Sequence, residues 1–318
     1  MMKTGLILVL AMLLLSFDCG VGISQRRTGQ APVAAQMSDA VVFGDREWIY
    51  YLAPNSSVPR KLVKGTFPAL SPDHHRVAYC APTNPAVSAA PTGALMLFDL
   101  ASGKSSVVLK ANAWLSHPKW TPNEEMIAFV FSPSGQSELH VIRPDGSQHR
   151  KIIAAEEQGV NSIFNPAWSI DGRSIYFQDM TNLVEVSTLG KVRSMTLLGA
   201  ITAEREAVTS SDSFVPCPTD ANLLAFTKSV PGTRLFERTF GEPNTALFLY
   251  DVRTKTRKRL TPVDLLAIDP VWSRDGNFIY FSGYRDREGR AAYPFKIYRI
   301  ARDGTGLTQI AAGETPGT

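Results

Sequence analysis

Short apolar runs recur along this chain with a fixed relation to a proline. Pro68-Ala-Leu-Ser-Pro-Asp73, Pro118-Lys-Trp-Thr-Pro-Asn123, Pro166-Ala-Trp-Ser-Ile-Asp171 and Pro270-Val-Trp-Ser-Arg-Asp275 are four versions of one pattern. Nine residues after each Pro an apolar triplet begins: Val77-Ala-Tyr79, Ile127-Ala-Phe129, Ile175-Tyr-Phe177 and Ile279-Tyr-Phe281. A degenerate copy runs from Val215, with Cys217 at the Trp position and Leu224-Ala-Phe226 as its triplet. A fainter one starts at Pro32 and leads to Val41-Val-Phe43. In each triplet the first and third residues share a face, the period of a strand rather than a helix. Later in each unit come further β runs, such as Leu95-Met-Leu-Phe98, Leu139-His-Val-Ile142, Leu247-Phe-Leu-Tyr250 and Ile297-Tyr-Arg-Ile300.

Each unit therefore predicts four short antiparallel strands, A to D, with the Trp on strand A and the triplet on strand B. Ser-x-Asp-Gly is the A–B hairpin, because Asp bonds its own backbone two residues on and Gly accepts positive φ. The turn residues Asp73, Asn123, Asp171, Asp220 and Asp275 are separated by 50, 48, 49 and 55 residues. A lone four-stranded sheet cannot bury both faces. Repeats of this period solve that by packing radially. The chain thus predicts an all-β, six-bladed β-propeller of four-stranded antiparallel blades, starting near 32, 68, 118, 166, 215 and 270.

The first 24 residues differ from the rest. Lys3 precedes an unbroken apolar run, Leu6–Leu15, and small residues follow at Gly20, Gly22 and Ser24. Ten apolar residues are half of what a spanning helix needs and match a secretory leader. The expectation is a signal peptide over 1–24 and a propeller over 25–318. It includes no transmembrane segment in the mature chain and a periplasmic or secreted monomer. A lipid anchor at Cys19 is the alternative, but Ser16 and Asp18 occupy positions where such anchors carry Leu and a small residue. Cys80 and Cys217 are too few for a disulfide framework and read as buried thiols.

The repeat Pro-x-Trp-Ser-x-Asp-Gly followed by Ile-Tyr/Ala-Phe resembles the WD40-like repeat of the TolB propeller family, over roughly residues 32–311. TolB is the periplasmic component of the Tol–Pal envelope system. The resemblance implies an exported propeller that binds proteins. About ten residues separate the leader from the first blade, so the α/β domain that precedes the TolB propeller is expected to be missing. The same repeat occurs in the propellers of prolyl-oligopeptidase-like peptidases and of some polysaccharide lyases.

Composition narrows the chemistry. Across 318 residues the formal net charge is +4, with 44% apolar and 19% charged residues, which excludes disorder and leaves no basic footprint for nucleic acid. No Gly-x-Ser-x-Gly elbow, Walker A or Rossmann glycine pattern is present, so no catalytic residues are assigned. The five histidines, His74, His75, His117, His140 and His149, predict no metal site, and no cofactor is expected. Asp73, Asp171, Asp220 and Asp275 read as turn chemistry rather than a carboxylate ring. Trp120, Trp168 and Trp272 read as interblade core rather than a platform for sugars.

Function is placed instead on long B–C connections, at 81–93, 229–245 and 283–294. Aromatics and Arg are enriched at interface anchors, and guanidinium binds carboxylate in a fork. Phe236, Arg238, Arg285, Arg287 and Tyr293 are the candidate anchors for an acidic envelope protein or peptide. The chain is read as a non-enzymatic binding module. The rival is a carbohydrate-active enzyme or sugar-binding protein using the channel mouth.

Overall fold

A computed structural model describes residues 39–45, 47–81, 93–203, 209–230, 245–285 and 295–318. They form six four-stranded antiparallel sheets. Blade one holds β1 (Val41–Gly44), β2 (Trp48–Leu52) and β3 (Arg60–Lys64). Blade two holds β4 (Thr66–Leu70), β5 (Arg76–Ala81), β6 (Ala94–Asp99) and β7 (Ser105–Lys110). Blade three runs β8 (Trp114–Trp120), β9 (Ile127–Ser132), β10 (Glu138–Ile142) and β11 (Arg150–Ala154). Blade four runs β12 (Phe164–Trp168), β13 (Ser174–Gln178), β14 (Asn182–Ser187) and β15 (Val192–Leu197). Blade five comprises β16 (Phe214–Pro216), β17 (Leu223–Ser229), β18 (Thr245–Asp251) and β19 (Thr256–Arg259). Blade six comprises β20 (Leu265–Trp272), β21 (Phe278–Arg285), β22 (Lys296–Ala301) and β23 (Thr308–Ala312). A short helix, α1 (Leu198–Thr202), follows blade four.

The last strand, β24 (Glu314–Gly317), pairs antiparallel with β1 and becomes the inner strand of blade one. The carboxy-terminal strand thereby closes the ring. Pro32, where the repeat pattern opened that blade, lies outside the described residues. The strand A position is filled by Thr315-Pro316-Gly317, and Thr318 stands where blades three, four and six carry Trp. The Thr318 hydroxyl donates to the Trp272 carbonyl of blade six at 2.5 Å.

The apolar triplets are the second strand of their blades and are almost entirely buried: Val77, Ile127, Ile175 and Ile279 are each inaccessible to solvent. Burial continues between blades. The Trp120 indole N–H donates to the Ala69 carbonyl, Trp168 to Lys119 and Trp272 to Val215, each reaching the inner strand of the preceding blade at 2.9–3.1 Å. One residue type thus fills the wedge between two sheets and satisfies a backbone acceptor there. Cys80 and Cys217 are buried and unpaired. Among the described residues no helix is long and apolar enough to cross a membrane.

Candidate functional site: the axial channel

A cavity of about 380 Å³ is lined by residues of all six inner strands and so lies on the ring's axis. The polar side chains in it are placed by a repeated backbone irregularity. In five of the inner strands the residue before the motif proline has a left-handed conformation: Phe67, His117, Asn165, Asp269 and Thr315, with φ between 48° and 52°. The ladder to the second strand slips there, between Thr66 and Ala69, Ser116 and Lys119, Phe164 and Ala167, and Ile268 and Val271, and in blade one between Val42 and Gly44. These are β-bulges, which re-aim a side chain at the cost of a strained residue. A residue before proline is ordinarily extended. Five breaches of that preference, all lining the cavity, put the strain where a ligand site would be.

The channel walls differ in charge. Blade three contributes His117 and Lys119, while blade six, opposite it in the ring, contributes Asp269. Burial pushes the Asp269 carboxyl up to about 6. Glu314 beside it adds to the rise, and the Lys119 ammonium opposes it. Burial likewise draws Lys119 below the ordinary lysine range, with Asp269 opposing. His117 is pushed down to about 3 by burial and then by Lys119, so its imidazole is neutral. Its ring packs on Phe67 with centroids 4.4 Å apart. Asn165 is held by two bonds from its amide nitrogen, to the Ser210 carbonyl at 3.0 Å and the Asp212 carbonyl at 2.9 Å. Towards the A–B hairpins the cavity turns apolar. Pro72, Pro122, Ile170 and Pro218 line that mouth together with three polar residues, His74, Ser169 and Arg274, the last donating from its guanidinium to the Pro72 carbonyl.

The residues singled out by sequence fall in several places. Asp73, Asp171 and Asp275 each accept from the Ser two positions earlier and from the backbone amide two positions later, while Asp220 accepts from the Asn222 amide. At Asp171 the Ser169 hydroxyl and the Arg173 amide hold the carboxyl below its usual range. These carboxylates are engaged in their own hairpins. Trp120 and Trp272 are 8% and 4% exposed and Trp168 is half-buried. All three indole N–H groups are bonded to the preceding blade, and all three residues also line the cavity.

Arg285 ends β21 and pairs with Asp264 at 2.9 Å. Phe236, Arg238, Arg287 and Tyr293 lie outside the described residues. His140 and His149 meet in the outer half of blade three: His140 Nδ1 lies 2.9 Å from His149 Nε2, and His140 Nε2 donates to Glu138 at 2.6 Å. Among the described residues no group of three His, Cys, Asp or Glu is placed to hold a metal. Of the five histidines, His117 is the one that directly precedes a strand-A motif, Pro118-Lys-Trp120, which puts it on an inner strand. The other four bulge positions carried a signal, the residue before each motif proline, that composition alone does not make functional.

No family model matches the chain. Over 238 residues, 74% of its length, it is 26% identical to the uncharacterized peptidase YuxL of Bacillus subtilis (strain 168), and it spans about a third (32%) of that protein. The structure resembles TolB from Acinetobacter baumannii, with a TM-score of 0.64, 16% identity and coverage of 89% of this chain and 67% of that one. It also resembles a putative TolB from Agrobacterium tumefaciens, with a TM-score of 0.57, 14% identity and coverage of 88% and 92%. The fold is a TolB-like six-bladed propeller.

Proposed function

We propose that this TolB-like propeller is an exported, non-catalytic binding module that docks an envelope protein on the A–B mouth of its axial channel. The observation that carries the reading is the channel itself, a preformed cavity whose A–B mouth is apolar and proline-lined. Rigid proline and aromatic surfaces lose little entropy when they bind. Arg274 at the same mouth supports an acidic partner segment, since guanidinium pairs with carboxylate. The leader-like pattern of residues 1–24 supports export to the periplasm or beyond. Phe236, Arg238, Arg287 and Tyr293 remain proposed anchors on the other face. Arg285 is a weaker candidate because Asp264 already engages it.

The test is photocrosslinking in envelope extracts, with a photoreactive residue at position 170 on the mouth or at position 253 on the outer edge of blade five. The expected result is an adduct to one defined segment of one protein from position 170 and none from 253. Equal labelling from both, or none from 170, overturns the reading. Replacing 231–243 and 284–292 with short Gly-Ser links tests the other face separately.

The match to YuxL favours a second reading, in which this propeller belongs to a peptidase system and screens peptides on their way to a catalytic domain. Peptidase activity on unblocked peptides that co-purifies with this chain from native extracts through two orthogonal columns would move the assignment to that class.

A further inference from the structure

We infer that the channel takes a small zwitterionic ligand of the short-peptide class, with its ammonium on the Asp269 side and its carboxylate on the Lys119 side. The inference rests on the channel being a binding site and adds the chemistry of its occupant.

Asp269 and Lys119 stand on opposite blades of the same cavity and attract each other, yet neither is fully compensated. Burial draws both towards their neutral forms, the acid up and the amine down, and their mutual attraction does not restore them. Each would gain from an opposite charge placed closer than the far wall. One ligand carrying both charges supplies this without altering the net charge of the channel. A purely cationic ligand would face Lys119, and a purely anionic one would face Asp269 and Glu314.

The remaining lining fits the same ligand. Neutral His117 stands on the Lys119 blade, where the ring N–H of an uncharged imidazole complements a carboxylate. The apolar end, with Pro72, Pro122 and Ile170, has room for aliphatic or aromatic side chains. A cavity of about 380 Å³ lies within the range of small-molecule sites, which are mostly apolar with a few fixed polar groups. The strained bulges place Asp269, His117 and Asn165 before any ligand arrives, so little ordering is left for binding to supply.

Calorimetry on the purified full chain would use alanyl-phenylalanine, its N-acetyl form, its carboxamide and the doubly blocked form. The free dipeptide is expected to bind, with either block weakening it at least tenfold. Asp269→Asn should bring the free and N-acetyl affinities together, and Lys119→Met should do the same for the free and amide forms. Their denaturation midpoints provide the check on folding, and each variant tests one half of the claim independently.

Affinity for the free dipeptide should fall as pH drops from 7.5 to 5.5 while Asp269 gains its proton. The groups that act on it are Glu314, Lys119 and the Ser282 hydroxyl; lowering the pH takes no charge from Lys119, and His117 stays neutral over that range. Equal binding of free and blocked dipeptides overturns the zwitterion claim and leaves the channel as a site. No binding of the free dipeptide at millimolar concentration also overturns it, whereas absence of crosslinking from position 170 is what sinks the docking reading.

Discussion

Blade six carries its inner strand over eight residues, Leu265–Trp272, whereas blade five, beside it, has three, Phe214–Pro216. Blade six has the motif proline, the bulge at Asp269 and the indole bonded to its neighbour. Blade five has Val215 where the proline would be, and its ladder to β17 runs without a slip: Phe214 with Phe226, Val215 with Ala225, Pro216 with Leu224. Cys217 replaces the Trp. The difference separates two jobs that the repeat performs together in blades three, four and six. The proline-linked bulge aims a side chain at the axis, and the Trp fastens one blade to the one before it. Blade five does neither, and its cohesion comes from a stack of Phe214, Phe226 and Phe248 with centroids 5.7 and 5.3 Å apart, under α1.

The largest expected effect tests the fastening role. Trp272→Ala removes a buried indole and leaves the Val215 carbonyl without its donor, so it should cost about 3–5 kcal/mol in urea denaturation. Cys217→Ala, at the equivalent position of blade five, should cost about 1 kcal/mol. Equal costs would mean that the two blades are fastened alike.

A smaller effect tests how the two blades touch. Gly276 in the blade-six hairpin has φ +68°, and a Cβ there would lie 2.1 Å from Thr219 Oγ1 and 2.9 Å from Cys217 Sγ. The small residues of blade five are what this hairpin packs against. Gly276→Ala should cost about 2–3 kcal/mol, against about 1 kcal/mol for Gly103→Ala, where φ is also +68° but nothing lies within 4 Å. The difference between the two midpoints isolates the contact from the backbone strain.

How much of this contrast was legible follows from what a repeat can encode. The triplets and the Trp positions were, because strand period and interblade packing act within one unit. Ring closure was not: β24 lacks a Trp, and its partner triplet Val41–Phe43 lies at the far end of the chain instead of nine residues ahead. The channel site was half legible. Its residues are named by the prolines that follow them, but a residue before proline is normally extended, and only the slipped ladders reveal that these five turn inward. The pairing of His140 with His149 depends on the C–D hairpin register, which spacing alone does not fix.

Each of the two blades has one acid with its carboxyl raised to about 6, Asp212 just before β16 and Asp269 within β20, and a third prediction separates them. Asp212 is sealed, 1% exposed, and burial is the main cause, with the Thr209 amide and hydroxyl bonds opposing it. Asp269 faces the channel. Between pH 4 and 6 folded Asp212 keeps a proton that the unfolded chain has lost, so stability falls as pH rises through that window and the full cost is present above it. Ionising such a carboxyl costs about 3 kcal/mol at pH 8. Asp212→Asn removes that cost but weakens the Thr209 bonds at every pH, so a net gain of about 1–2 kcal/mol at pH 8 should turn into a net loss of about 1–2 kcal/mol near pH 4. A gain independent of pH would show that Asp212 is not the group that titrates.

The smallest effect belongs to the outer edge, where the same two blades also touch. Lys258 on β19 donates to the Asp303 carbonyl in the C–D turn of blade six. That bond is exposed, its acceptor has water as an alternative partner, and the lysine gives up side-chain freedom to make it. Lys258→Ala should therefore change stability by no more than about 0.5 kcal/mol. The measurement is a thermal midpoint beside that of Trp272→Ala, at low and high salt. A loss above 1 kcal/mol would mean that blades five and six are held at their rim as well as by the Trp272 indole near the axis.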